Sequence, residues 1–306
     1  MAGELHALHG VYRRLPHSGN HIQGKIRGAE SILYHGRYLV LGKRGTGALK
    51  KKHIIRIDSE KCIGCGLCRA DCPAGNLLVK NGTARVLTQD CILCGHCVAV
   101  CPKAAVSITG FDAPPEEIGG PAPLDPGALL DALKTRRSIR QFTARQVEPD
   151  LIARIIEAGR LTPTGGNAQD VSFLVLRDEM EQMERLAVRL FRRILPLAKL
   201  ASAMAGRMTI DDHFFFKKAP AAIVVVSRDK VNGALAAANM ALMAEACGLG
   251  VLYSGFFCMA AGHSRPLRKA LGLGRGEKAV ATLVLGYSGV TYHRTAQKEA
   301  ASIRWF

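Results

Sequence analysis

The clearest periodic signal lies in the second half of the chain. Apolar runs at 171–176, 221–226 and 279–285 have strand length. Residues 179–195 and 231–247 read as helices between them. Two shorter helices are expected at 128–134 and 149–161, the second with Pro149 in its first turn. Strands and helices mixed in this way predict an α+β sandwich. Residues 234–262 carry Glu245 as their single charge and are long enough to cross a bilayer. Ala and Gly dominate that stretch, however, Asn239 and Glu245 lie inside it, and Gly248 and Gly250 break it. A buried helix followed by a strand at about 250–254 is expected, and no membrane span. Phe214, Phe215 and Phe216 suit a core. Residues 111–127 hold five prolines and three glycines, which helices and central strands do not tolerate. They predict a semi-rigid linker.

A length of 306 residues suits two domains, at roughly 150 residues each. Hydrophobic residues make up 48% and charged residues 22%, which excludes a mostly disordered chain, a collagen and a coiled coil. The formal net charge of +17 raises the question of a nucleic-acid partner. Ten Lys/Arg against two Glu fall within residues 1–53, a segment with little sign of a fold. That basicity is read as a disordered or extraneous leader, so no nucleic-acid partner is expected. The leader lacks the unbroken apolar segment of a secretory signal, and a cytoplasmic protein is expected.

Eight of the ten cysteines fall between Cys62 and Cys101. Cys62, Cys65, Cys68 and Cys72-Pro73 form a C-x2-C-x2-C-x3-C-P run, and Cys91, Cys94, Cys97 and Cys101-Pro102 repeat it. Three cysteines at this spacing wrap three corners of an iron–sulfur cubane, while the fourth reaches the other cluster. Cys62, Cys65, Cys68 and Cys101 are therefore expected on one [4Fe-4S] cluster, and Cys91, Cys94, Cys97 and Cys72 on the other. Zinc would not require two such runs, and a disulfide scaffold would need an oxidising compartment. Residues 54–110 resemble the bacterial-type two-cluster ferredoxins, which implies a small pseudo-symmetric fold of β-hairpins and short helices. His96, inside the second run, is read as bordering or tuning its cluster. Cys247 and Cys258 lack partners at ligand spacing and are read as buried thiols.

Beyond the linker, Arg136, Arg137, Ser138 and Arg140 gather three guanidinium groups and a hydroxyl within five residues. Such forks match phosphate oxygens or an electron-rich ring edge. Residues 162–169 form a loop rich in small hydrogen-bonding groups, and Tyr292, Arg294 and Lys298 follow the last strand. In this order and spacing, residues 54–306 resemble the nitroreductase family of FMN-dependent flavoproteins, and within it the subgroup with an N-terminal two-cluster ferredoxin. The resemblance implies that Arg136, Arg137, Ser138 and Arg140 contact the FMN phosphate, ribityl chain and ring. Pro163, Thr164 and Asn167 match the P-[ST]-x-x-N loop that meets the isoalloxazine. Ser254 and Gly255 match a flavin-side loop assigned to the helix-to-strand turn after Gly248. Arg294 and Lys298 match two phosphate-holding basic positions, with Lys298 where Arg is commoner. Asp170 stands where many relatives have Pro. The family is homodimeric, with FMN at the subunit interface and a C-terminal arm around the partner. The domains expected are 54–110 for the ferredoxin and 128–306 for the FMN domain.

The implied electron path runs from an external donor through the clusters and FMN to a substrate, since FMN accepts electrons singly and releases them as a pair. No strand–G-x-G-x-x-G–helix unit is visible, and residues 272–276 read as a turn. Family members bind nicotinamide without such a unit, so NAD(P)H and an external ferredoxin both stand as donors. No general acid or base is assigned. Two functions remain open: a reductase of nitroaromatics, quinones or similar electrophiles, and an electron-transfer module whose acceptor is a partner redox protein.

Overall fold

The structure is a computed structural model describing residues 52–306 and, before them, the backbone of two strands, β1 (Glu30–His35) and β2 (Tyr38–Lys43), paired antiparallel. The expectation of a disordered leader over 1–53 otherwise falls outside the described residues.

Residues 55–108 make two small antiparallel pairs and two one-turn helices. Strand β3 (Ile55–Ile57) pairs with β6 (Val106–Ile108), and β4 (Leu77–Lys80) pairs with β5 (Thr83–Val86). Helices α1 (Leu67–Ala70) and α2 (His96–Ala99) each begin inside a cysteine run. The core between them is small: Ile55, Cys68, Leu77, Ala84 and Val106, with five further cysteines packed against it at partial burial. So few apolar side chains bury little area, and in a unit this small bound metal commonly supplies the missing stability.

After the linker, α3 (Pro126–Thr135) starts with Asp125 accepting a hydrogen bond from the Ala128 N–H at 2.6 Å, a side-chain N-cap. Helix α4 (Pro149–Arg160) follows, then strand β7 (Ser172–Leu176) and helix α5 (Met180–Ala201). Helix α5 runs past the expected end at 195 with Pro196 inside it, and its last turns carry the exposed Leu197 and Leu200. A short helix α6 (Ala203–Gly206) precedes β8 (Ala221–Ser227), α7 (Lys230–Ala246) and β9 (Gly250–Tyr253). Two helices that the apolar pattern did not separate, α8 (Gly255–His263) and α9 (Arg265–Ala270), come before β10 (Lys278–Gly286).

The sheet order is β7-β8-β10-β9, antiparallel throughout. Side chains alternate between faces along a strand, and β8 buries both sets. Ala222, Val224 and Val226 join Phe215, Phe216, Phe257 and the α5, α8 and α9 side chains on one face. Ala221, Ile223 and Val225 join the α4 and α7 side chains on the other. The result is a helix–sheet–helix sandwich, with the Ala-rich helix α7 buried against the sheet. Phe214 is only half-buried, as are Cys247 and Cys258, so neither thiol is fully enclosed as expected. The difference at Cys258 is small: its thiol meets Thr282 Oγ1 at 3.2 Å.

Among the described residues, no helix is long and apolar enough to cross a membrane.

Candidate functional site

The two cysteine runs fold around two separate cavities. One is lined by Cys72, Cys91, Cys94 and Cys97 together with His96. The other is lined by Cys62, Cys65, Cys68 and Cys101. Each cavity thus takes three cysteines from one run and the fourth from the other. Four thiols accept backbone N–H groups: Cys62 from Ala84 at 3.3 Å, Cys72 from Asn76 at 3.3 Å, Cys91 from Leu93 at 3.3 Å and Cys101 from Ala105 at 3.2 Å. N–H groups aimed at sulfur favour thiolate, the form in which cysteine binds iron.

Burial pushes the Cys68 thiol up, and Cys101, Cys62 and Cys65 add to that push. Burial does the same to Cys97, with Cys72 and Cys94 adding. Among the described residues, no three His, Cys, Asp or Glu side chains converge closely enough to hold a single metal ion. Each cavity nevertheless gathers four thiols on its lining, the donor set of a four-iron cluster. The donor set and the cavities therefore fit iron–sulfur clusters. His96 borders the first cavity, and its Nδ1 lies 3.3 Å from Asp71 Oδ2 of the other run.

In the second domain, the segment after α3 lies along β9. Ser138 bridges Val251, and the Ile139 N–H donates to the Val251 carbonyl at 3.0 Å. Approach is so close that a Cβ on Gly250 would stand 2.5 Å from Ile139 Cγ1. This pairing brings Arg136, Arg137, Ser138 and Arg140 beside the turn holding Ser254 and Gly255. That turn leads from strand β9 into helix α8, so Ser254 and Gly255 belong to a strand-to-helix turn and not to the helix-to-strand turn expected for them. Burial pushes the Glu245 carboxyl and the Tyr253 hydroxyl up, and the Arg136 guanidinium nearby offsets part of both shifts.

Arg137 donates to the carbonyls of Lys134 at 3.0 Å and Arg136 at 2.6 Å, yet its Nη2 is buried with no hydrogen-bond partner. A buried guanidinium nitrogen left unpaired costs free energy until an acceptor arrives. An anionic or oxygen-rich ligand such as the FMN phosphate or ribityl chain would supply that acceptor, so the residues present fit the cofactor.

The 162–170 loop is fastened to α7. Thr162 Oγ1 accepts from Asn239 Nδ2 at 2.8 Å, and Asn232 Oδ1 accepts the Gly165 N–H at 2.9 Å. Asp170 explains itself here. Its carboxylate accepts from Ser227 Oγ at 2.7 Å, Asn232 Nδ2 at 2.8 Å and the Asp229 N–H at 3.3 Å. Burial pushes the Asp170 carboxyl up, but these hydrogen bonds together outweigh it and leave the group below its ordinary value. Nothing in the sequence marked this network, because its members lie some sixty residues apart. Pro163 is exposed, Thr164 Oγ1 accepts the Gln169 N–H at 3.0 Å, and Asn167 Nδ2 donates to the Ile92 carbonyl at 2.8 Å.

The two ends of the second domain do meet: Thr143 donates to the Tyr287 carbonyl at 2.9 Å, and Gly289 to Gln141 at 2.8 Å. Arg294 and Lys298, in contrast, lie exposed on the extended arm beyond that junction. The structure thus sets Arg136–Arg140 along β9 ahead of the Ser254 turn, anchors the Asn167 loop on α7, and leaves the two C-terminal cations exposed.

Two four-cysteine cavities joined to an α+β sandwich with an unpaired buried guanidinium nitrogen define the donor set of an iron–sulfur protein fused to a second domain. Residues 54–102 match the 4Fe-4S dicluster domain, and residues 133–287, just over half the chain, match the nitroreductase family. The chain belongs to the nitroreductase family, a family of FMN-dependent oxidoreductases, and carries a 4Fe-4S ferredoxin domain ahead of it. It is 30% identical over 138 residues to a provisionally named NADH dehydrogenase/NAD(P)H nitroreductase of Methanothermobacter thermautotrophicus. That alignment takes in 42% of this chain and 61% of the relative, so the chain spans about three fifths of the relative's length. A protein of the same description from Archaeoglobus fulgidus is 27% identical over 169 residues, covering 52% of this chain and 84% of the relative. A solved nitroreductase with bound FMN from Bacteroides fragilis is 20% identical, with a TM-score of 0.47, covering 57% of this chain and 98% of that one.

Proposed function

We propose that the chain is an iron–sulfur flavoprotein oxidoreductase that uses electrons taken in at two [4Fe-4S] centres to reduce a small electrophile such as a nitroaromatic or quinone. The observation that carries this reading is the crossed lining of the two cavities in the same chain as the nitroreductase-family domain. When bound, the clusters would move single electrons and FMN would collect them in pairs for the substrate.

The residues of this chain do the holding. Cys62, Cys65, Cys68 and Cys101 bind one cluster, and Cys91, Cys94, Cys97 and Cys72 the other. Arg136, Arg137, Ser138 and Arg140 take the phosphate, ribityl chain and ring edge of FMN, and Pro163, Thr164, Asn167, Ser254 and Gly255 border the ring. Arg294 and Lys298 complete a phosphate site when two copies pair. Support for a homodimer lies in the arm itself, where Ile303, Trp305 and Phe306 are exposed at 65%, 91% and 114% of their reference areas. An arm with that much apolar surface suits burial against a second copy. NAD(P)H and reduced ferredoxin are the candidate donors. We place the protein in the cytoplasm, where reducing conditions keep such ligand thiols from pairing as disulfides.

The test is anaerobic preparation of the full chain, iron and flavin analysis, and separate reduction by ferredoxin and by NADPH followed at flavin wavelengths. About eight irons per chain, the content of two four-iron clusters, with bound FMN that ferredoxin bleaches, is the expected result. Protein that takes up FMN yet stays oxidised with both donors would overturn it.

A further inference from the structure

We infer that Asn167 is a positioning residue that clamps the second cysteine run against the flavin loop, so that the centre on Cys72, Cys91, Cys94 and Cys97 is the one through which electrons leave the iron–sulfur domain. The inference rests on the proposed function and adds a direction to it.

Three observations carry it. First, the Asn167 side chain donates to the Ile92 carbonyl at 2.8 Å, across seventy-five residues of sequence and across the junction of the two domains. Ile92 follows Cys91 directly and lines that cysteine set's cavity. Among the described residues, no hydrogen bond or ion pair joins the first run to residues 128–306. Around the first run the surface is more open, with Cys65 exposed and Ile63 and Leu67 exposed at 59% and 45%, against 40% for Ile92.

Second, left-handed backbone without glycine occurs on both sides of the contact, at Asn167 itself and at the residue after Ile92. Asn167 has φ +53°, Gln169 +45° and Leu93, next to Ile92, +54°. The matching position in the first run is Gly64, at φ +65°. Asn tolerates this region, whereas a leucine there is strained. Strain of this kind persists only where its surroundings over-determine it.

Third, the clamp is braced from behind. The Asn167 N–H donates to the Thr164 carbonyl at 2.9 Å, and Gly165 and Asp170 tie the loop to Asn232 on α7. A side chain aimed by that many contacts can hold the opposite loop at one distance. The same short loop therefore meets the second run on one side and, on the proposed reading, the flavin on the other.

The experiment uses full-length holoprotein in three forms. Cys65→Ser should keep only the second-run centre, and Cys94→Ser only the first. The low-temperature EPR signal of each is recorded with and without FMN. FMN should perturb the signal in Cys65→Ser and leave it unchanged in Cys94→Ser. In Asn167→Ala, hydrogen exchange of amides 91–95 should rise about fivefold, the factor that loss of one ordinary hydrogen bond of about 1 kcal/mol gives. This second measurement stands even if a cysteine variant fails to fold. Missing iron or FMN in the parent protein overturns the proposed function and this inference with it. Full loading with an FMN-sensitive signal in Cys94→Ser, or unchanged exchange in Asn167→Ala, overturns the inference alone.

Discussion

Removing the Asp170 carboxylate should destabilise the second domain well beyond what a half-exposed loop residue normally does. In Asp170→Ala, Ser227 at 1% exposure and Asn232 at 6% each lose the acceptor of a side-chain hydrogen bond. A stranded buried polar group costs about 1–3 kcal/mol, and water reaching the half-exposed Asp170 position keeps the total near the low end, at roughly 2–4 kcal/mol. For a domain of this size that corresponds to a fall in Tm of roughly 5–15 °C. Asp170→Asn should lie between the two, because its amide NH2 must face a donor whichever way it turns: Ser227 Oγ and the Asp229 N–H on one side, Asn232 Nδ2 on the other.

The pH dependence follows from the depressed Asp170 value. Such a carboxylate contributes stability above its unfolded value that is lost as pH falls through the folded one, so the substitution should flatten the acid limb. The assay is thermal unfolding of the FMN-loaded protein, read by far-UV circular dichroism and flavin fluorescence across acid pH. A change within about 0.5 kcal/mol, as for ordinary surface substitutions, would refute the reasoning and show that solvent replaces the carboxylate at no cost.

Arg137→Ala should weaken FMN binding about tenfold or more, the equivalent of losing a charge-assisted contact of about 1.5–3 kcal/mol, while iron content stays unchanged; equilibrium dialysis measures it. Gly250→Ala places a Cβ 2.5 Å from Ile139, so it should push the arginine segment off β9, costing about 1–3 kcal/mol of stability by overpacking and lowering FMN occupancy. Gly64→Ala would press a Cβ against the Gly82 carbonyl oxygen in a left-handed conformation, and should remove the iron centre of the first run while sparing flavin, as iron analysis and EPR would show. Tyr287 and Arg145 hold the Glu148 carboxyl at about 2. Stability should therefore fall as pH drops from its ordinary value of 4.5 towards 2, and Glu148→Gln should make that slope shallower in urea titrations at low salt.

Local signals were enough for the elements that bury a regular face. The apolar runs at 171–176, 221–226 and 279–285 became β7, β8 and β10 within a residue at each end, because a strand between two helical layers needs little beyond its own apolar side chains. The cysteine spacing announced its chemistry for a similar reason: ligands of one centre must be close in sequence to wrap its corners. The repeat led to the expectation that Cys72 and Cys101 cross, and each cavity lining combines three cysteines of one run with one of the other.

What the sequence left undecided depends on contacts between distant segments. Helices α8 and α9 were hidden in uniformly apolar and Gly-rich stretches whose periodicity carries no boundary. Asp170 looked like a departure from a family pattern until Ser227 and Asn232 were found around it. The unpaired Arg137 nitrogen and the Asn167–Ile92 contact had no sequence signal. Composition and spacing determine which groups the chain owns and which centres they can bind. Tertiary structure decides which loop faces which, because a hydrogen bond across seventy-five residues depends on where packing leaves its two ends, and local sequence carries no record of that.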